Sequence, residues 1–194
     1  VDGKTQQYVG LFSDISEIKD YEQQLKRLAH YDPLTGLPNR VLLSDRLQQA
    51  MAQTTRRGQH IAVFYLDLDG FKQVNDQYGH QAGDQLLVAL TQRMSQTLRE
   101  ADTLARIGGD EFVAIVLDLP TLSAAFVTAD RLIRDVARPV QLGDWSVQVS
   151  VSVGITFYPQ DKATSADQLL RQADHAMYEA KYAGKNRYCV FENI

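Results

Sequence analysis

The stretch "RIGGDEFVAIV", Arg106–Val116, sets a double glycine and two adjacent acids, Asp110 and Glu111, between runs of strand-forming residues. The flanking "TLARI" and "FVAIVL" are apolar and rich in β-branched side chains, so the segment reads as a hairpin turning at "GGDE". Glycines clear Cβ atoms from a turn and let a bulky ligand come close to the backbone. The hairpin demands antiparallel pairing, and its turn is a candidate site.

Working outward toward the N-terminus, "HIAVFYLDLD" is a second buried strand, and it ends in Asp67 and Asp69. Between it and the hairpin, "GFKQVNDQYGHQAGD" reads as a loop. A helix then runs from about Gln81 to Leu98, with Leu86, Leu87, Leu90 and Met94 on one face. Before the strand lie a Pro/Gly-rich loop, "HYDPLTGLPNR", and a helix from about Asn39 to Arg57. Beyond the hairpin, a helix from about Leu122 to Ala137 precedes a second hairpin. Its long arm, "WSVQVSVSVGITFY", alternates Val147, Val149, Val151, Val153 and Ile155 with polar or small residues. A last helix, "ADQLLRQADHAMYEAKYAG", stops at Gly184, and "NRYCVF" closes as a strand. Helices interleaved with two hairpins predict an α/β (α+β) fold, with a mixed, mainly antiparallel central sheet flanked by helices.

At 194 residues and 44% hydrophobic content, the chain is sized for one well-buried domain with some peripheral structure. The net charge of -4 disfavours the broad basic surface needed for sequence-independent nucleic-acid binding, so no nucleic-acid partner is expected. The longest apolar runs fall far short of a membrane span, and no basic-then-apolar leader opens the chain, so this segment is expected to make no membrane contact. The single cysteine, Cys189, suits a reducing compartment, hence a cytoplasmic location, and is expected in the core. Opening at "VDGK" without methionine is what a piece of a longer protein would show, and the parent could carry a membrane anchor, a sensor or a second catalytic domain. Near the start, Ile18, Tyr21, Leu25 and Leu28 form a heptad seam, and an amphipathic helix lying on the domain is the alternative. The expected organisation is a remnant of an upstream sensor over 1–15, a linker helix and candidate coiled coil over 16–30, and a catalytic domain over 31–194.

The chain has no G-x-x-x-x-G-K-[ST], H-E-x-x-H or G-x-S-x-G motif and no Cys/His cluster, which disfavours phosphate-loop, zinc and serine-hydrolase chemistry. Carboxylates remain. If the two buried strands are neighbours, Asp67 meets Asp110 and Glu111 at one edge, as hard oxygen ligands suited to Mg²⁺ or Mn²⁺. An isolated strand-end Asp would be merely solvated. Two carboxylates holding a divalent metal at the edge of a mixed sheet point to nucleotidyl transfer. Phe71, Lys72, Asn75 and Asp84 follow in the adjoining segment. Lys72 can reach phosphate. Asp84 can accept from guanine N1 and N2, and Asn75 offers both a donor and an acceptor. Without that context these two would pass for surface or capping residues.

Taken together, "YDPLTGLPNR", "YLDLDGFKQVNDQYGHQAGD", "ARIGGDEF", "VSVGIT" and "ADHAMYEAKYAGKNR", in this order over about Ala29 to Phe191, resemble the GGDEF family of diguanylate cyclases. The resemblance implies a nucleotide cyclase / polymerase-palm-like fold, and condensation of two GTP into cyclic di-GMP with release of two pyrophosphates. It implies Mg²⁺ bound by the side chains of Asp67 and Asp110 and the carbonyl of Leu68. Asp110 also matches the catalytic acid position, and Glu111 stands fourth in the signature. By the same matching, Gly108 and Gly109 would lie against the triphosphate, Asn75 and Asp84 would read guanine, and Phe71, Lys72, Lys181 and Lys185 would bind phosphates. "READ", Arg99 to Asp102, matches by its offset the family's inhibitory site for cyclic di-GMP; elsewhere R-x-x-D is a common helix end. The arginine fork suits phosphate and Asp102 can accept from guanine. Because one site holds one GTP and the product joins two, activity is expected of a homodimer with facing half-sites. The first residues, "YVGLFSDISEIK", resemble the exit of a PAS sensor domain. A catalytically silent receptor for GTP or cyclic di-GMP, and a cyclase of other nucleotide specificity, are the competing functions.

Overall fold

The computed structural model describes residues 16–192, so the PAS-like segment over 1–15 lies outside the described residues. The central strand is β1 (His60–Asp69), buried along nearly its whole length. It pairs antiparallel with β3 (Glu111–Leu119) on one side and β6 (Ser150–Tyr158) on the other. β2 (Thr103–Gly108) extends the sheet beyond β3, and β7 (Tyr188–Val190) adds a parallel edge beside β6. The order β2-β3-β1-β6-β7 is the mixed, mainly antiparallel sheet expected.

The continuous apolar run of β1 follows from burial on both faces, since successive side chains point to opposite sides of a strand. Ala62, Phe64, Leu66 and Leu68 enter one core, with Leu86, Leu87, Leu90 and Met94 of α4 (His80–Thr97) and Ala125, Ala129 and Leu132 of α5 (Ser123–Val136). Ile61, Val63 and Tyr65 enter the other, with Leu43 and Leu47 of α2 (Arg40–Arg57) and Leu169, Ala173 and Met177 of α6 (Ala166–Tyr182). Full burial of each large aliphatic side chain is worth about 1.5–3 kcal/mol, which makes this three-layer arrangement the main source of stability.

Three expectations are corrected. The segment read as a loop contains α3 (Phe71–Tyr78), whose buried Phe71 and Val74 stand three apart and anchor one turn of helix. The long arm of the second hairpin is broken. Its first part, β5 (Trp145–Val147), pairs only with β4 (Val140–Leu142) as a separate two-stranded sheet, and the chain then passes into β6. Cys189, expected in the core, is only half-buried at the sheet edge, where burial pushes its thiol pKa up, with the Glu179 carboxylate adding to the rise.

The first helix, α1 (Ser16–His30), carries the heptad seam. Tyr21, Leu25 and Leu28 are about two-thirds exposed, so this face does not lie on the domain. The side chain of Ile18 lies outside the described residues. Among the described residues no helix is long and apolar enough to cross a membrane.

Candidate active site

The site forms where β1 ends against the β2–β3 turn. Asp67 lies opposite Glu111 in the ladder, and the Leu68 amide donates to the Asp110 carbonyl at 3.2 Å. The turn is thus locked to the strand end that carries the acids. Gly109 adopts a left-handed φ of 50°, and a Cβ built at Gly108 or Gly109 meets nothing within 4 Å. Open space over a turn fixed from beneath is what a ligand approaching the backbone requires.

A clamp that the sequence analysis did not assign holds this turn. Arg106 donates from Nε and Nη2 to the Gly109 carbonyl, at 3.0 and 2.8 Å. Its Nη1 pairs with the Asp32 carboxylate at 3.0 Å. Asp32 in turn accepts from the Thr35 amide and hydroxyl at 2.8 and 2.6 Å. Although burial opposes it, the bonds from Thr35 and Arg106 hold the Asp32 carboxyl below its ordinary pKa. The "DPLT" loop and the signature turn are therefore one unit, joined through a guanidinium that uses its planar fork in two directions. Arg106→Ala strands the Asp32 charge and the Gly109 carbonyl together. It is expected to cost about 3 kcal/mol of stability and to lower kcat/KM by at least about tenfold as the turn loosens. Arg106→Lys should recover little of either, as read by thermal melts and initial rates.

The candidate residues fall into three groups. Asp67, Leu68, Gly108, Gly109, Asp110 and Glu111 lie together at the sheet edge, and α6 brings Lys181 to them, its Nζ 2.7 Å from Asp67 Oδ1. Burial raises the Asp67 pKa; Lys181 lowers it, and the neighbouring Asp110 and Glu111 charges raise it further. Tyr65 donates to Glu111 Oε2 at 3.4 Å, and desolvation, with the Glu111 charge, raises the pKa of that phenol so that it stays a donor. Lys185 sits in the turn after α6, which is tied to the same edge by the Asn186 amide donating to Asp69 Oδ2 at 3.3 Å. Asp69 is an addition to the predicted set. It is buried, accepts from Ser150 and Ser152 at 2.8 and 2.9 Å, and fixes a turn in which Lys185 and Asn186 both have positive φ. Its signal was in the sequence, as an acid two residues beyond Asp67 on the same strand face.

The second group lies on the α3–α4 corner. Phe71 is buried, Lys72 is exposed, and Asn75 is half-buried with its Oδ1 enclosed and without a hydrogen-bond partner. Asp84 is exposed on α4 and lines an open groove of about 480 Å³ with Leu34, Gln85, Val88 and Ala89. The third group is at the far end of β2, roughly 17 Å of strand from the turn. There Asp102 does not pair with the Arg99 guanidinium. Its carboxylate accepts from the Arg99 and Leu117 amides at 2.9 and 3.0 Å, which fixes the corner and leaves the exposed Arg99 side chain without an ion pair among the described residues.

The donor set fits a hard divalent cation. Among the described residues no three His, Cys, Asp or Glu side chains group closely enough to hold a metal by themselves. Mg²⁺ usually takes only one or two protein carboxylates and completes its shell with water and substrate phosphates. Asp67 and Asp110 with the Leu68 carbonyl are the groups that could supply that kind of partial shell, and the Lys181 ammonium already sits on Asp67 Oδ1.

Known proteins resemble this chain in both sequence and fold. The family model described as "Diguanylate cyclase, GGDEF domain" matches residues 29–187. The bifunctional diguanylate cyclase/cyclic di-GMP phosphodiesterase MucR of Pseudomonas aeruginosa is 46% identical over 171 residues, covering 88% of this chain and 25% of MucR. The solved GGDEF domain of TpbB from Pseudomonas aeruginosa superposes with a TM-score of 0.81 at 38% identity, covering 84% of this chain and 95% of that one. The coiled coil and GGDEF domain of DgcB from Caulobacter crescentus, solved in complex with c-di-GMP, gives a TM-score of 0.81 at 28% identity, covering 91% and 93% of the two chains. The chain spans between a quarter and two-fifths of the curated relatives MucR and TpbB. In sequence and in fold alike, the chain belongs to the GGDEF diguanylate cyclase domain family.

Proposed function

We propose that the domain condenses two GTP molecules into cyclic di-GMP and two pyrophosphates, acting as a homodimer of facing half-sites with Mg²⁺ or Mn²⁺. The observation that carries this is the convergence of Asp67, Asp110, Glu111 and Lys181 at a glycine turn held open at the sheet edge. The bound divalent ion would lower the charge on the phosphates and acidify the attacking hydroxyl. Asp67, Asp110 and the Leu68 carbonyl hold the ion, and Gly108 and Gly109 let the triphosphate lie along the turn. Lys181, released from Asp67, with Lys72 and Lys185, binds phosphate oxygens as point charges, and Phe71 supports the same segment from beneath. Asn75 and Asp84 read the guanine edge. In each transfer the 3′-oxygen bonds to the α-phosphorus of the facing nucleotide, and the bond to the β-phosphate oxygen breaks. Pyrophosphate leaves with the electron pair, and the hydroxyl proton passes to a carboxylate of the cluster, for which Asp110 is the matching position.

The exposed seam on α1 is the surface through which two such domains are held in register, as a linker helix ahead of the catalytic domain. Incubating the protein with GTP and Mg²⁺ over a range of protein concentrations tests the whole scheme. Cyclic di-GMP formed at a rate rising more than linearly with protein is expected. GTP bound without turnover at any concentration would instead identify a silent receptor, and equal use of ATP a cyclase of different specificity.

Arg99 and Asp102 form the product-inhibition site, supported by an exposed guanidinium with no ion pair among the described residues, at a corner that Asp102 holds rigid. Arg99→Ala is expected to leave initial rates unchanged and to raise the cyclic di-GMP concentration needed for half-inhibition by about tenfold or more, the loss of one charge-assisted contact. Inhibition at the parental product concentration would remove this site.

A further inference from the structure

Two of the described glycines have a virtual Cβ only 1.9 Å from the nearest foreign atom, and they differ in what that atom is. At Gly154 it is helix backbone. At Gly83, in the first turns of α4, it is Asn75 Oδ1, with Asn75 Cγ at 2.9 Å and Phe71 Cζ at 3.3 Å. This Asn75 oxygen is one of four buried side-chain polar atoms that have no hydrogen-bond partner among the described residues. It therefore lies directly on the bare Cα of Gly83, in a space that any other residue would fill.

From this we infer that Gly83 is a specificity-determining positioning residue for the nucleotide base: its missing side chain seats the Asn75 amide with the oxygen turned inward and the NH₂ turned toward the ligand. The inference rests on the proposed guanine-reading role of Asn75 and Asp84. With Oδ1 turned in against the α4 backbone, Asn75 presents a donor while Asp84, one residue beyond Gly83, presents an acceptor. Guanine offers the complementary acceptor and N–H donors on its edges; adenine lacks the protonated N1 that a carboxylate needs. A seated amide discriminates, because the wrong base covers a polar group on binding without pairing it. An amide free to rotate would present its oxygen as readily as its nitrogen and lose that distinction.

The two sides of the contact also predict how substitution behaves. A methyl at Gly83 meets the tip of a short side chain that can swing away, so the helix backbone need not move and Ala is itself a better helix former than Gly. The cost falls on Asn75, and through it on the ligand, rather than on the fold.

The test is a double-mutant cycle of Gly83→Ala and Asn75→Ala, read by calorimetric titration of a non-hydrolysable GTP analogue and the matching ATP analogue with Mg²⁺, alongside thermal melts. Gly83→Ala is expected to weaken binding of the GTP analogue by about tenfold, to narrow the GTP/ATP preference by a similar factor, and to leave the melting temperature equal or higher. In the Asn75→Ala background, Gly83→Ala should change GTP affinity less than twofold. Unchanged GTP affinity in Gly83→Ala, while Asn75→Ala weakens it, would overturn the role of Gly83 and spare the guanine-reading one. A loss of the same size in both backgrounds would likewise overturn it. If Asn75→Ala alone leaves affinity and preference unaltered, the guanine-reading role fails, and the inference with it.

Discussion

Asp67→Asn is expected to lower the rate of cyclic di-GMP formation by about a hundred- to a thousandfold while the domain stays folded. The substitution keeps the shape of the side chain and removes its charge, so packing at the end of β1 is unchanged. What disappears is the anionic oxygen that a hard divalent cation requires and that the Lys181 ammonium reaches at 2.7 Å. Removing one preorganised electrostatic partner of the reacting groups costs about 3–4 kcal/mol of transition-state stabilisation, which corresponds to between two and three powers of ten in rate. Stability should move the other way or not at all. Burial, the largest influence, raises the Asp67 pKa above its ordinary 3.8, and Lys181 only partly offsets it. A carboxyl whose folded-state pKa is raised holds its proton more tightly when folded. It therefore stabilises the fold below 3.8 and gives that stabilisation up as the pH climbs through the folded value. At neutral pH the charge is a net burden on the metal-free protein, and a neutral isostere relieves it. Melting curves at pH 7 should show Asp67→Asn at or above the parent, and the parent should gain on the variant as the pH is lowered toward 4. Turnover within tenfold of the parent would end the metal assignment, whatever the melts show.

The parts of this site that were legible in sequence are those written in consecutive residues. Burial on two faces leaves β1 and β3 as unbroken apolar runs, so an acid at either end stands out, and antiparallel pairing then brings Asp67 opposite Glu111. The turn glycines are visible for the same reason. The α3 helix was hidden because only Phe71 and Val74 of its eight residues are buried, too few to display a helical period between Gly70 and Gly79. The break between β5 and β6 was hidden by the opposite fault: valines alternate straight through Gln148 and Val149, although the chain changes sheets there. Least legible were contacts between side chains far apart in sequence. Arg106 and Asp32 stand 74 residues apart, and nothing local to either marks the other as its partner. Lys181 stands 114 residues from Asp67, and nothing local to either marks the ion pair they form.

Among the described glycines, Gly154→Ala should be the most damaging replacement by alanine. Gly154 lies in the middle of β6, opposite Tyr65 of β1, and α6 crosses directly above it. Its Cβ would stand 1.9 Å from the Ala173 carbonyl oxygen, 2.1 Å from the Met177 amide nitrogen and 2.8 Å from the Ala176 carbonyl carbon. These are helix backbone atoms, each held by its own hydrogen-bond ladder, and they cannot turn aside as a side-chain tip can. The buried face of α6 is built for this approach, with Ala173, Ala176 and Ala180 fully covered and little side chain to hold helix and strand apart. To accept the methyl, the helix must lift by about 1 Å or more, and with it the contacts of Leu169 and Met177 in the core beneath. Overpacking commonly costs about 1–3 kcal/mol where side chains can give way; against backbone on this scale about 3–5 kcal/mol is expected, or a fall in melting temperature of roughly 10 °C. The same displacement carries Lys181 away from Asp67, so residual activity should drop further than the folded fraction accounts for. Gly83→Ala, with an equal first contact of 1.9 Å but against a side-chain oxygen, provides the internal control. If Gly154→Ala melts within 2 °C of the parent and Gly83→Ala does not, the close approach of α6 to β6 is not what holds this face of the site together.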